Sequence, residues 1–145
     1  MESAESKLVS RVADGFAERA EKEGLKSLTP EEQTVLLPLW ASGIIDNGGF
    51  KYFYEGATET LEVAAAFDSI GLPEAADACR KAHSLVPAEV LAGGYMACRD
   101  WMDTFEWEEL DALFLPLNHV IWDLDDRLVP ALAVYIRAHG LAPGS

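Results

Sequence analysis

The stretch from Thr29 to Phe50 reads TPEEQTVLLPLWASGIIDNGGF and has the marks of one helix from start to stop. Thr29 can cap it, and Pro30 suits the first helical position, where an N–H would go unpaired anyway. Glu32 can reach back to complete a capping box. Val35, Leu36, Leu39, Trp40 and Ile44 recur at three- and four-residue steps and are expected to face inward. Pro38 is expected to kink the helix, because its ring clashes with the carbonyl of Thr34. Asn47-Gly48-Gly49 is expected to end it, with residues that accept a positive φ.

The same reading extends in both directions. A first helix is expected from Ser3 to Glu23, with Leu8, Val12 and Phe16 inward and Gly24 as its stop. Phe50 to Tyr54 is read as a brief aromatic helix packed into the core. Helices follow over Thr58–Ile70, with Leu61, Ala64, Ala65 and Phe67 inward, and over Pro73–Ser84. The next runs from Pro87 to Met102, with Val90, Leu91, Tyr95, Cys98 and Trp101 inward; Gly93-Gly94 within it marks either a close helix contact or a break. Leu110, Leu113, Leu117, Ile121, Leu124 and Leu128 continue the pattern, while Pro116 and Pro130 divide it into two or three segments. Runs of β-branched residues with period two are almost absent. An all-α fold is therefore expected, a single compact domain over residues 1–145 with six to eight helices.

Charge narrows the functions. The chain carries 25 acids against 11 bases, a formal charge of −14, yet half its residues are apolar, which supports a folded core. Direct nucleic-acid binding and attachment to an anionic membrane are not expected, because each phosphate contact needs a Lys or Arg. A basic partner is electrostatically easier to approach, though charge that merely keeps a protein in solution gives the same composition. No run approaches a membrane span or a signal core, so a cytoplasmic location is expected. Cys79 and Cys98 lack a CxxC spacing and are read as buried free thiols.

Three stretches resemble a bacterial family of helical domains of unknown function whose best-known member is an acidic DNA-mimic protein. Leu39-Trp40-Ala41-Ser42-Gly43, then Asp46-Asn47-Gly48-Gly49-Phe50 and Tyr52-Phe53, resemble its signature. Ala64 to Phe67, Ile70-Gly71 and Ala75-Ala76 are similar to its centre, and Tyr135 to His139 to its end. The resemblance spans about Leu36 to His139, and Asn47-Gly48-Gly49-Phe50 is its distinctive element. The pair Tyr52-Phe53 follows Phe50 one position sooner than in the family's usual form, as in a divergent subgroup. The resemblance implies an all-α fold without known enzymatic activity. It also implies a role in which an acidic surface occupies the DNA-binding face of a transcriptional regulator. That role has no motif to transfer residue by residue.

The candidate partner-binding surface is the acid-rich segment holding Asp100, Asp103, Glu106, Glu108, Glu109, Asp111, Asp123, Asp125 and Asp126, with no Lys or Arg inside it. Carboxylates so placed can stand in for backbone phosphates. Local chemistry competes: Asp103 and Glu106 have capping-box spacing, and acids in a first helical turn complement the helix dipole by up to about 1 kcal/mol each. Asp123 and Arg127 have i,i+4 spacing for an ion pair. Asn47-Gly48-Gly49-Phe50 is read first as a structural turn. His119 and Asp123 give at most half a metal set. No nucleophile elbow, P-loop or dinucleotide fingerprint is present, so no enzyme, cofactor or metal is expected. Trp101, Phe105, Trp107 and Trp122 lie among the acids, able to anchor an interface or fill the core. The first expectation is a non-enzymatic interaction protein, with a basic DNA-binding regulator as partner. A protein neutralising a cationic toxin, and a small-ligand or metal-binding helical domain, are the alternatives.

Overall fold

The computed structural model describes residues 3–142, the side chain of Asp125 excepted. Among the described residues there are eight α-helices and no strand. Helix α1 spans Ala4–Glu23, α2 Pro30–Tyr54, α3 Thr60–Ser69 and α4 Pro73–Leu85. Helix α5 spans Ala88–Ala92, α6 Gly94–Met102, α7 Trp107–Trp122 and α8 Leu128–Ala138. One continuous apolar core joins them. Helix α2 runs through the middle, against α3 and α7; α4 packs on α3 and α7, and α1 on α8. None of these helices is long and apolar enough to cross a membrane.

The start of α2 forms as its sequence requires. Thr29 accepts a hydrogen bond from the Glu32 N–H, and the Glu32 carboxylate accepts one from the Thr29 N–H. Arg19 of α1 also pairs with Glu32, tying the cap to the neighbouring helix. The buried face differs from the expected one. Leu37, Pro38, Ala41 and Ile45 are buried with Val35, whereas Leu36, Leu39 and Ile44 are only partly covered and Trp40 is 38% exposed. The segment is apolar nearly all round here, so periodicity does not select a face. Pro38 lies on the buried side of a helix that continues past it, and the non-helical residue inside α2 is Gly49.

Gly49 has φ 73° and ψ −172°, a backbone region that essentially only glycine enters. The chain breaks direction there and resumes as a helical turn that buries Phe50, Phe53 and Tyr54. The break is met from α7. The side-chain carbonyl of Asn118 accepts the Phe50 N–H at 2.8 Å, inside the core. One turn further on, Trp122 Nε1–H donates to the Ile45 carbonyl at 2.8 Å. The Asn118 amide sits so close to Gly49 that a Cβ there would overlap it.

Other expected faces also shift. Leu61 and Ala65 point outward, and Thr60, Val63 and Ala66 take the core side with Ala64 and Phe67. Gly94, at φ 82°, breaks the expected Pro87–Met102 helix into α5 and α6, and Tyr95 becomes exposed while Cys98 stays buried. Helix α7 continues unbroken through Pro116, which lies on its solvent side, where water can satisfy the carbonyl the ring displaces.

A polar thread crosses this core. Tyr54 Oη is 3.0 Å from Thr60 Oγ1, which is 3.2 Å from His83 Nδ1. Burial raises the pKa of the Tyr54 phenol and of both thiols, that of Cys79 to about 12 from an ordinary 9.0. Cys79 and Cys98 are free and buried, as expected.

Asn118→Ala strands a buried N–H and should cost about 1–3 kcal/mol in denaturant unfolding. Gly49→Ala should cost more, about 3 kcal/mol or above, through its backbone region and the overlap with Asn118. The double variant should lose less than the sum, because removing the Asn118 amide relieves that overlap. For Cys79, the folded pKa lies above the unfolded one, so its contribution is full below about pH 9 and is lost as pH rises toward 12. The melting temperature should therefore fall over that range, less steeply in Cys79→Ala. Thiol alkylation at neutral pH should be slow until the chain unfolds.

Candidate functional site

The acid-rich segment is laid out around α7. Asp100 lies on α6, and Asp103 closes that helix. Glu106 precedes α7, and Glu108, Glu109 and Asp111 occupy its first turns. Asp123 and Asp126 follow its far end. Asp125 lies in the same turn, and its side chain is outside the described residues. The eight others are exposed. Between Ala112 and Trp122 the helix carries no acid. Its 16 residues at 1.5 Å each separate the two acidic ends by about 24 Å.

Two local explanations for these acids do not hold. Asp103 does not cap α7: the N-cap is Glu106, and no side chain caps that end. Asp103 instead ends α6, so the three-residue spacing straddles a turn between two helices. Arg127 does not pair with Asp123; its guanidinium reaches Glu74 on α4 at 2.6 Å. The remaining local role is that of Glu108 and Glu109, whose charge complements the α7 dipole.

The ion pairs fall elsewhere. Arg80 bridges Asp68 and Asp77, Lys22 meets Glu18, Lys51 meets Glu55, and Arg137 approaches Glu5 at 3.9 Å. With Arg19–Glu32 and Arg127–Glu74, none of these pairs uses one of the eight described acids of the segment. Arg99 and Arg127 flank the segment, and Lys51 stands over Trp107 between Glu106 and Glu108.

The Asn47-Gly48-Gly49-Phe50 element divides in two. Gly49 and Phe50 are buried and make the break described above. Asn47 and Gly48 are exposed, and the Asn47 amide donates to the Gly43 carbonyl. They border a hollow of about 350 Å³ with Lys51, Tyr52, Glu55 and Trp107. Trp107 is 62% exposed and lies under the Lys51 ammonium, 4.3 Å from its ring centre, a cation–π contact that joins α2 to the start of α7. Trp101 and Phe105 pack edge to face, partly buried against the core.

The metal reading finds no geometry. Among the described residues no three His, Cys, Asp or Glu side chains converge. His119 sits edge-on against Trp122, His83 meets Thr60, and the His139 ring meets the Tyr135 carbonyl. Two features were missed by sequence reasoning, Asn118 in the core and the contact of Lys51 with Trp107. Asn118 had a signal, being the polar residue in the otherwise apolar stripe of Leu110, Phe114 and Ile121. The Lys51–Trp107 contact had none, because the two side chains lie far apart in the sequence and on different helices.

No curated protein and no solved structure matches the chain. The family model described as DMP19-like protein matches residues 26–139, which takes in α2 through α8 and both acidic ends of α7. The chain belongs to the DMP19-like protein family.

Proposed function

We propose that this protein is a non-enzymatic interaction protein whose acidic α7 ends occupy the basic face of a DNA-binding protein, in the first place a transcriptional regulator. The observation that carries this reading is the state of the eight described acids: exposed, and outside the ion pairs that engage acids elsewhere. Arg and Lys side chains that meet duplex phosphates, one per about 3.4 Å of helix axis on each strand, can meet exposed carboxylates in the group from Asp103 to Asp111 instead. The second group, one helix length away, gives a second point of contact. The family resemblance supports the same role. Catalysis is disfavoured because both thiols are buried and held protonated, and each imidazole already has a neighbour.

The test is capture from the native cell with the whole protein and with a variant carrying Asp103→Asn, Glu106→Gln, Glu108→Gln, Glu109→Gln and Asp111→Asn. A basic DNA-binding protein should be retained at low salt and released by rising salt or by added duplex DNA. The neutralised variant should retain it about tenfold less well or worse, a loss of at least 1.4 kcal/mol. Circular dichroism should show that variant folded, since the exposed acids of the first turn contribute only about 0.3–1 kcal/mol each to α7. Equal retention by the variant would overturn the proposal. A captured basic protein that binds no DNA and is toxic when expressed alone would replace it with toxin neutralisation.

A further inference from the structure

Helix α1 is attached to the rest of the molecule differently from the other long helices. The family match begins at residue 26, so Ala4–Glu23 lies outside it. Helices α2, α3, α4 and α7 are joined through the core by hydrogen bonds: Asn118 to Phe50, Trp122 to Ile45, and Tyr54 through Thr60 to His83. None of these bonds involves α1. Its buried stripe of Val9, Val12, Ala13 and Phe16 packs mainly on α8 and less on α2. On the α2 side the fit is incomplete, and a hollow of about 550 Å³ lies between Val9, Ala13 and Ala17 and the facing Leu36, Leu39 and Trp40. Among the described residues, the ion pairs that cross from α1 are Arg19 with Glu32 and Glu5 with Arg137, the latter at 3.9 Å. Arg19 Nε is buried without a partner. The hinge is defined as well. Gly24 ends α1 at φ 90°, and the turn after it is held to α2, because the Gln33 amide donates to the Leu25 and Leu28 carbonyls.

We propose that α1 is a detachable strap: it undocks about Gly24 as one unit while α2 to α8 stay folded, uncovering an apolar face of α2 and α8. A region opens separately when few buried apolar residues and no buried hydrogen bonds tie it to the rest. Four of the 20 residues of α1 are buried, against ten of 25 in α2, and its ties to the rest are apolar contact and two partly exposed ion pairs. Pairs of that kind add little. A helix of this length is only marginally stable in water without a face to pack on, so undocking and unwinding occur together. The occupant of the face is α1 itself. Docked, it closes that face to any other helix, and the undocked fraction sets how readily the face can accept one. The proposal does not depend on what the acids around α7 bind.

The test is hydrogen exchange of the whole protein, read by mass spectrometry. Amides from Val9 to Ala20 should exchange together, about a hundredfold or more faster than those of α2 and α7. Phe16→Ala should speed α1 about tenfold further and leave α7 unchanged within about threefold. A second readout uses thiols. Val12→Cys places a thiol of similar size on the covered side of α1, with Cys79 and Cys98 as buried references in the same chain. The introduced thiol should be alkylated at neutral pH about tenfold or more faster than either reference. Exchange of α1 at the rate of α7 would overturn the proposal. So would exchange graded inward from residue 4 with the middle of α1 as protected as α7, since that is fraying and not undocking. A Phe16→Ala variant that speeds α7 as much as α1, or an introduced thiol as slow as Cys79, would overturn it as well, by making α1 part of the common core. None of these readouts involves a captured partner, so the strap and the acidic surface stand or fall separately.

Discussion

The grip of α7 on the broken middle of α2 organises this molecule. A helix of this length could run straight past the core; the Gly49 break turns it so that Phe50, Phe53 and Tyr54 enter instead. A break inside a core exposes backbone groups to an apolar medium, and each must be satisfied locally. Asn118 accepts the Phe50 N–H and Trp122 donates to the Ile45 carbonyl, both from one face of α7. Glycine, asparagine and the aromatic turn are therefore one device. Phe114, also on α7, lies against Phe50 and Tyr54, with ring centres about 6 Å away in each case. Tyr54 carries the arrangement on to Thr60 and His83, which reach α3 and α4.

That device also fixes where function can lie. Because α7 is held by its inner face, its two ends are presented at a set separation, and those ends carry the exposed acids. Basic residues elsewhere are drawn into pairs with α1, α3 and α4 acids. Surface pairs of this kind contribute little to stability, typically below about 1 kcal/mol. Their consequence is electrostatic: they engage Arg and Lys side chains with acids outside the segment around α7, whose described acids join none of these pairs. Its charge repels itself, and the apolar core must offset that cost.

The helical class, the capping box at Thr29, the stop at Gly24 and the buried thiols were legible in the sequence, because local chemistry specifies them. Faces were legible only where apolar and polar residues alternate cleanly. In α2, Val35 to Trp40 is apolar on every side, so the packing of α1, α3 and α7 decides that Leu37 and Ala41 go in and Trp40 stays out. Prolines were weaker boundaries than their chemistry suggests: Pro116 faces water, where a displaced carbonyl costs little. The acid-rich segment was visible as composition. Its division into two ends was not, since that depends on where α6 stops and α7 begins. Capping and pairing of Asp103 and Asp123 failed for the same reason, because spacing along a chain gives contact only within one continuous helix.

Charge and apolar contact contribute differently to recognition. Exposed carboxylates act over a Debye length of about 8 Å at physiological salt, which accelerates encounter and orients the approaching partner. They add less to residence, because water and ions compete for each of them. A surface that only imitated phosphate charge would hold any basic protein equally and briefly. Selection among basic partners by shape requires desolvated apolar contacts beside the charges, and differences in dissociation rate arise from such contacts. The family-like stretch is thus divided by burial: Gly49 and Phe50 are buried against α7, while Trp40 and Tyr52 remain largely outside the core.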